Sequence, residues 1–215
     1  MGVSREQAAE NRRAIIAAAT RLFRERGVDA VGLNELMKHA GFTQGGFYNH
    51  FASKADLVAE VLAAAVAEGG AKVAKSTRAP LDETTTALQR YVDNYLSYAH
   101  RDNIDGCPVA GFAGDAPRLG AEAQSHFARG LDNQITILAG LLAECGSALA
   151  DGERRTLRER AISLDCQLVG ALVLSRSVAQ TSSAFADEIL ENVRRDVLAS
   201  IGERSGHVPQ PRKRR

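Results

Sequence analysis

The 215-residue sequence lacks tryptophan and has few aromatic residues of any kind, 5% in total. Its three cysteines, Cys107, Cys145 and Cys166, are too few and too widely spaced for a disulfide framework, and no histidine stands at zinc-ligand spacing from them. No apolar segment reaches the ~18 residues of a membrane span, and the N-terminus lacks the apolar core of a signal peptide. We therefore expect a cytoplasmic protein with no membrane partner, no metal site and no cofactor.

Strand patterns are also missing from the sequence. It shows no alternation of apolar and polar residues, and no repeat with a period of 20 to 50 residues. The spacings of a catalytic triad, a phosphate-binding loop or a nucleotide fingerprint are absent as well, so no catalytic residues are predicted. A net charge of +1 neither supports nor excludes a nucleic-acid partner. Apolar residues recur instead at three- and four-residue steps, which predicts an all-α protein.

The most informative stretch is residues 33–51. An apolar stripe predicts a short helix that Gly41 ends, because glycine tolerates the left-handed conformation that releases a helix. Thr43 can begin a second helix, from about Gln44 to Phe51, with Phe47 and Phe51 facing the core. The stripe of the first helix consists of Leu33, Leu36, Met37 and Ala40. The sequence here therefore predicts a helix, a tight turn and a second helix.

Polar side chains occupy the outward face of the second helix. They are suited to phosphates and base edges, and they are Thr43, Gln44, Tyr48, Asn49 and His50. Two short helices around a glycine turn fit the DNA-binding helix-turn-helix, in which the second helix enters the major groove. They fit an ordinary helical hairpin equally well, and the spacing alone does not separate the two.

A family resemblance favours the helix-turn-helix. The sequence resembles the N-terminal signature of TetR/AcrR-type transcriptional regulators without a gap from about Arg13 to Leu57. The matching motifs are Gly27-Val28, Leu33-x-Glu35-Leu36, Ala40-Gly41-Phe42-Thr43, Phe47-Tyr48-x-His50-Phe51 and Ser53-Lys54. One departure is Gly32, which stands where the family usually has a serine or threonine that caps the helix and touches phosphate. The rest of the chain carries no such resemblance.

The resemblance implies a role for each residue of the second helix. Thr43, Tyr48, His50 and Lys54 are expected to hold DNA phosphates, and Gln44 to read a base, since its amide can pair with adenine. Gly45 and Gly46 would allow close approach to DNA while weakening the helix by up to about 1 kcal/mol each. Asn49 is expected to contact either a base or a phosphate.

Further helices follow the match. The spacing predicts helices from Ser53 to about Lys75, over 81–101, as a short segment at 109–116, over 118–145, from 152 to about 178, and from Ser182 or Ser183 to Gly202. The fold is thus predicted as a three-helix head on a helical body. We predict three regions: a DNA-binding domain at 8–68, a regulatory and dimerisation domain at 69–203, and a basic disordered tail at 204–215.

The helix that begins at Gly152 is apolar nearly all round over 164–174, so it must be buried on several sides. A second copy of the chain is one way to cover it, and TetR-type proteins dimerise through their last two helices. The residues predicted for this interface are Leu164, Leu168, Gly170, Ala171, Leu172, Ser175, Val193 and Val197.

Two features of the body suggest a response to chemical signals. Cys107 lies in a predicted loop with arginines nearby in sequence, so an exposed thiol there could sense oxidants or electrophiles; a buried, structural thiol is the alternative. Cys145 and Cys166 are expected to lie in the core. An aromatic set could line a pocket for a small-molecule effector, or could simply belong to the core: Tyr91, Tyr95, Tyr98, Phe112 and Phe127.

Together these expectations describe a homodimeric, ligand-responsive transcriptional regulator, a repressor, that binds a palindromic double-stranded DNA operator. A small molecule or thiol modification would release it. Two alternatives stay open: a cysteine-based enzyme, for which no motif is present, and a helical scaffold that has lost DNA binding, for which Gly32, Gly45 and Gly46 give mild support.

Overall fold

The computed structural model describes residues 4–78, 85–103, 105–144 and 151–205, and these contain helices and turns but no strand. The all-α prediction is confirmed. The helices are α1 Arg5–Arg26, α2 Leu33–His39, α3 Lys54–Arg78, α4 Ala87–Tyr95, α5 Tyr98–Asp102, α6 Pro108–Phe112, α7 Ala121–Glu144, α8 Asp151–Val178 and α9 Ser183–Ser205. Two 3₁₀ helices complete the order, η1 Gln44–Asn49 and η2 Ala116–Arg118. The first two residues of the tail predicted at 204–215 belong to α9, and the rest of it lies outside the described residues.

The chain divides into two compact units. The first contains the residues up to Lys72 together with Asn103–Asn133, and the second contains Val73–Asp102 together with the residues from Gln134 onward. The N-terminal helices thus share a unit with α6, η2 and the first half of α7. The sequence gives no signal for this, and the boundary placed at residue 68 stays a prediction.

The first unit is built on one apolar core. Its largest fully buried side chains come from α1, α2, η1 and α3, and they are Ile15, Phe23, Leu36, Met37, Phe47, Leu57 and Leu62. Phe112 of α6 belongs to the same cluster, and Phe127 of α7 packs against it. The two short elements α2 and η1 are therefore fixed by their apolar residues to longer helices, which leaves their polar residues at the surface.

The second unit is dominated by the packing of α8 on α9, with α4 against both. The predicted single helix over 81–101 is wrong, because α4 ends at Tyr95 and α5 begins at Tyr98. Ser97 explains the break: its hydroxyl donates to the carbonyl of Asn94 and accepts from the backbone N–H of His100. A serine in this arrangement begins a new helix rather than continuing the old one. Helix α9 also continues past Gly202, where a stop was expected.

The expectation that no apolar segment reaches the length of a membrane span is corrected by α8, whose residues 156–178 are long and apolar enough by length and composition; 39% of the most apolar window is buried within the chain. A helix that packs against its neighbours inside a protein meets the same criteria. The segment is therefore weak evidence for a membrane span.

Candidate DNA-binding site

The turn between α2 and η1 has the geometry that the glycine predicted. Gly41 has φ +85°, its N–H donates to the carbonyl of Lys38, and the N–H of Phe42 donates to that of Met37 at 2.8 Å. These two bonds form a Schellman motif, which satisfies the last carbonyls of the helix and turns the chain sharply. The prediction that Gly41 ends α2 is confirmed, and the turn aims η1 away from the end of α2.

The second element of the motif is shorter than expected. The sequence predicted a helix to Phe51, whereas η1 is a 3₁₀ helix that ends at Asn49. Two adjacent glycines, Gly45 and Gly46, lower helix propensity here and leave few side chains to stabilise a regular turn. Phe47 anchors the element because its side chain is fully buried. The centroid of its ring lies 5.3 Å from that of Tyr48 and 5.5 Å from that of Phe51.

The predicted DNA-contacting side chains of η1 lie at the surface. The side chains of Thr43, Gln44 and Asn49 are exposed and make no hydrogen bond or ion pair with any residue that the structure describes. Tyr48 is 65% exposed, although it follows the buried Phe47. These four side chains are therefore free to meet a ligand from solvent.

Neither glycine of η1 is required by packing within the chain. A Cβ at Gly45 would have no neighbour within 4 Å, and one at Gly46 would meet Met37 Cε and Thr43 Oγ1 only at ordinary contact distance, 3.9 Å. Neither has a positive φ. Alanine would fit at both positions, so close approach by an external partner stays the prediction that accounts for them.

Lys54 differs from its neighbours because it already has protein partners. Its Nζ donates to the carbonyl oxygens of Val28 and Val31, each at 2.7 Å, and lies 5.8 Å from the ring centroid of Phe23. An ammonium group has three donors, so one is left for another acceptor. The first role of Lys54 is to attach the start of α3 to the connection between α1 and α2, and its phosphate contact stays a prediction.

Arg12, which the sequence does not single out, is the side chain that fixes the end of η1. Its guanidinium donates from Nη1 to the carbonyl oxygen of half-buried His50 and from Nη2 to the carboxylate of Glu60. The same group lies over the ring of Phe51, 4.3 Å from its centroid. Arg12 of α1 thus joins the C-terminal end of η1 to α3. Its partners lie 38 and 48 residues away, so no local sequence pattern could reveal them.

At the other end of the motif, α2 begins without a side-chain cap. Gly32 occupies the N-cap position with φ −80° and ψ 151°, and it makes no side-chain hydrogen bond. The first turn keeps its backbone bond from Leu36 N to Gly32 O at 3.0 Å. An ion pair between Arg26 and Glu35 joins the end of α1 to α2 instead.

The expected sensor cysteine is not exposed. Cys107 is 8% exposed and occupies the N-cap position of α6. The expectation of an exposed thiol is therefore wrong, and the buried alternative describes the position of Cys107. Cys166 of α8, which was expected in the core, is exposed. The side chain of Cys145 lies outside the described residues.

The expected aromatic pocket is not assembled as one group. Phe112 belongs to the core of the first unit and the half-buried Phe127 packs against it, which corrects their assignment to a ligand pocket. Tyr91 and Tyr95 stack on α4 at 5.8 Å in the second unit, and Tyr98 is 45% exposed and donates to Glu191 of α9. That hydrogen bond raises the pKa of Tyr98.

An open groove of about 390 Å³ lies in the second unit, formed by α7, α8 and α9. None of the five aromatic residues lines it. Its walls are Leu142, Thr156, Glu159, Arg160, Ser163, Leu164, Gln167, Ser200 and Ile201.

Most residues predicted for the dimer interface are buried inside the chain itself. Six of the eight are at most 8% exposed: Leu164, Leu168, Ala171, Leu172, Ser175 and Val197. They face inward because α8 packs on α9 within one protomer, as shown by the Ser175 hydroxyl donating to the carbonyl of Ala186 at 2.8 Å. These six side chains are therefore not available to a second copy. The other two residues, Gly170 and Val193, are half-buried and remain available to a second copy.

Comparison with known proteins identifies the N-terminal helices. Residues 15–61 match the family model of bacterial regulatory proteins, tetR family. The chain is 41% identical over 58 residues to the HTH-type transcriptional regulator AcrR of Shigella flexneri, and 41% identical over 59 residues to the HTH-type transcriptional repressor BepR of Brucella suis. Each match covers 27% of this chain and only 27% and 28% of the relatives, just over a quarter of their length.

The fold extends the likeness beyond the matched residues. A TetR transcriptional regulator from Chloroflexus aurantiacus has a TM-score of 0.75 at 20% identity, with 92% of this chain and 97% of that chain covered. Identity this low shows a common fold and no more. The resemblance indicated by the sequence is confirmed over residues 15–61, which match the tetR family model, and the all-helical fold of the chain is shared with solved TetR regulators.

Proposed function

We propose that the protein is a cytoplasmic transcriptional repressor that binds a palindromic operator as a homodimer and is released by a small molecule. The observation that carries the proposal is the polar surface of η1, where four side chains without hydrogen bonds to the described residues project from a buried phenylalanine anchor. Two of its curated relatives are named as a transcriptional regulator and a repressor. Neither is an enzyme, which favours regulation over a cysteine-based reaction.

In this proposal η1 enters the major groove. Gln44, at its first position, pairs with a base, while Thr43 and Tyr48 donate their hydroxyls to phosphates on either side. His50 and the remaining donor of Lys54 add phosphate contacts, and Asn49 reaches a base or a phosphate. Gly45 and Gly46 let the backbone approach the DNA closely.

The experiment is binding of the purified protein to duplexes selected from a random pool. We expect a salt-dependent affinity for a palindrome with half-sites about one helical turn apart, roughly 34 to 36 Å, or a multiple of it. Gln44→Ala should weaken binding by about 1 to 3 kcal/mol and relax the preference at one position of each half-site. A wild-type protein that shows no preference among duplexes would support the scaffold alternative instead.

A second copy is proposed to cover the outward face of α8 and α9. Three large apolar side chains are exposed there, Ile162 at 40%, Leu174 at 59% and Phe185 at 51%. Exposed apolar side chains of this size are typical of an interface, and half-buried Gly170 allows close approach. Leu174→Lys should convert the dimer to a monomer in sedimentation. Ala121→Lys, at an exposed position of α7, adds the same charge outside the proposed face and is the matched control. A wild-type monomer would contradict the proposal.

Release requires an effector that prefers one shape of the protein. A ligand shifts the equilibrium only by its difference in affinity for the two shapes, so it must change operator affinity to qualify. The groove between α7, α8 and α9 and the stacked Tyr91 and Tyr95 are the places proposed for it.

Modification of Cys107 is the second proposed trigger. Because this thiol is buried, it should react slowly with N-ethylmaleimide, and Cys107→Ser should abolish any loss of operator binding that the reagent causes.

A further inference from the structure

The connection between α1 and α2, residues 27–32, is held from two sides. From one side Lys54 of α3 donates to the carbonyl oxygens of Val28 and Val31. From the other side the carboxylate of Asp115 accepts a hydrogen bond from the backbone N–H of Val28, with 3.3 Å between N and Oδ2. Both backbone polar groups of Val28 are therefore used to fix the connection.

Asp115 comes from a distant part of the sequence, between α6 and η2. Its side chain is 14% exposed, and its oxygens lie against the open face of Gly27, 3.6 and 3.7 Å from where a Cβ would stand. Gly27 ends α1 with φ +82°, a conformation that glycine adopts readily. The carboxylate thus lies at the point where the chain leaves α1 for α2.

A neighbouring cation keeps this carboxylate in place. Arg118 donates from Nη2 to Asp115 Oδ1 at 2.8 Å, and its Nε lies 3.5 Å from Asp29 Oδ2 of the same connection. One oxygen of Asp115 thus binds Arg118 while the other binds Val28. The η2 segment is attached to the α1–α2 connection by two charged side chains of opposite sign.

We propose that Asp115 is a positioning residue for DNA binding, which couples the α6–η2 segment to the helix-turn-helix through the α1–α2 connection. The inference rests on the proposed DNA-binding function and adds a route for its regulation. Asp115 does not touch DNA; it restricts the connection that sets where α2 begins, and α2 in turn carries the turn that aims η1. A ligand or modification that moves α6 would reach the head through this contact.

The size of the effect follows from the populations of the free protein. If the connection is disordered part of the time, apparent DNA affinity falls by the fraction of molecules that are competent to bind. Hydrogen bonds that involve a charged group contribute enough to change such a population about tenfold. Loss of the Asp115 carboxylate should therefore weaken operator binding by up to about tenfold without removing any contact with DNA.

The test compares three variants of the full chain. Asp115→Ala removes the acceptor. Asp115→Asn keeps an oxygen that can accept from Val28 but loses the charge. Glu122→Gln, an exposed carboxylate on α7, loses the same charge with no contact to the connection. For each we would measure operator affinity at two salt concentrations, the thermal midpoint, and hydrogen exchange of the Val28 amide in the absence of DNA.

We expect about tenfold faster exchange at Val28 and up to tenfold weaker operator binding for Asp115→Ala. Asp115→Asn should rescue both in part, because it keeps an acceptor for the Val28 N–H but loses the charge that pairs with Arg118, and Glu122→Gln should leave both unchanged. Equal exchange rates of the Val28 amide in wild type and Asp115→Ala would show that Asp115 does not protect this N–H, which would refute the hydrogen bond on which the proposal rests. Faster exchange with unchanged operator affinity would overturn the coupling, and so would a loss of affinity that Asp115→Asn does not rescue. If wild-type protein binds no duplex, the proposed function fails instead, and the exchange data still decide the hydrogen bond.

Discussion

Replacing Arg12 with alanine tests whether the end of η1 is held from α1. The side chain donates to the His50 carbonyl, pairs with Glu60 and covers the ring of Phe51. Solvent screens the ion pair, because the side chains of Arg12 and Glu60 are 36% and 38% exposed, and its contribution is therefore that of a surface pair. A surface ion pair contributes about 0.2 to 1 kcal/mol, a cation–π contact about 0.5 to 1, and a charged hydrogen bond to a carbonyl about 1.5.

We therefore expect Arg12→Ala to lower the free energy of unfolding by about 2 kcal/mol, measured from the urea midpoint at constant slope. Operator affinity should fall as well, because among the described residues no other charged side chain donates a hydrogen bond to the C-terminal end of η1. Part of that loss should remain at high salt, since it comes from misplacement of η1 rather than from the missing charge.

Arg13→Ala is the matched control. Arg13 is the exposed neighbour on α1, and its side chain makes no hydrogen bond or ion pair with the residues that the structure describes. Its replacement therefore removes the same charge without removing a contact to η1 or α3. Its unfolding free energy should change by less than about 0.5 kcal/mol. Equal destabilisation by the two variants would refute the assignment of Arg12.

Two further predictions concern a glycine and a buried acid. Gly45→Ala should stabilise the protein by about 0.5 to 1 kcal/mol, because a Cβ there has open space, yet weaken operator binding by obstructing close approach; unchanged affinity would remove Gly45 from the DNA-facing surface. Asp165 of α8 is 3% exposed, and burial raises its pKa although Gln134 donates to it. A raised pKa in the folded state means that the folded chain binds the proton more tightly than the unfolded chain, so stability should decrease as pH rises from about 4 through the folded pKa. Asp165→Asn should abolish this slope, and a slope that persists in urea titrations of the variant would show that another group causes it.

Local structure was predictable wherever one residue type determines one conformation. Gly41 follows the last apolar position of α2, and its positive φ produced the expected turn. Phe47 stood on the apolar stripe and is fully buried, which left the polar residues of η1 outside. The helix-turn-helix followed from these two facts together with the family resemblance.

Contacts between residues far apart in sequence were not predictable. The roles of Arg12 and Lys54 depend on carbonyl groups 38, 26 and 23 residues away, and an arginine or lysine on an amphipathic helix looks the same whether or not such partners exist. Asp115 is similar, since its acceptor function appears only after η2 folds onto Gly27. The tertiary fold, rather than any local spacing, brings these groups together.

The proposed dimer interface illustrates a different limit. A sequence that is apolar nearly all round shows that α8 is covered on several sides but not which side is covered by its own chain. Leu168 and Leu172 are buried within the chain, so the residues left for a proposed partner are the exposed ones, such as Leu174.

The central claim is that two copies of this chain place their η1 elements at a spacing that matches B-form DNA. The most direct test is the mass of the wild-type complex on a selected duplex, measured by sedimentation alongside the free protein. The account predicts a free dimer and a complex of two protomers on one palindrome, with loss of binding when one half-site is moved by five base pairs to the opposite side of the helix. A stable monomer that binds a single half-site equally well would contradict it.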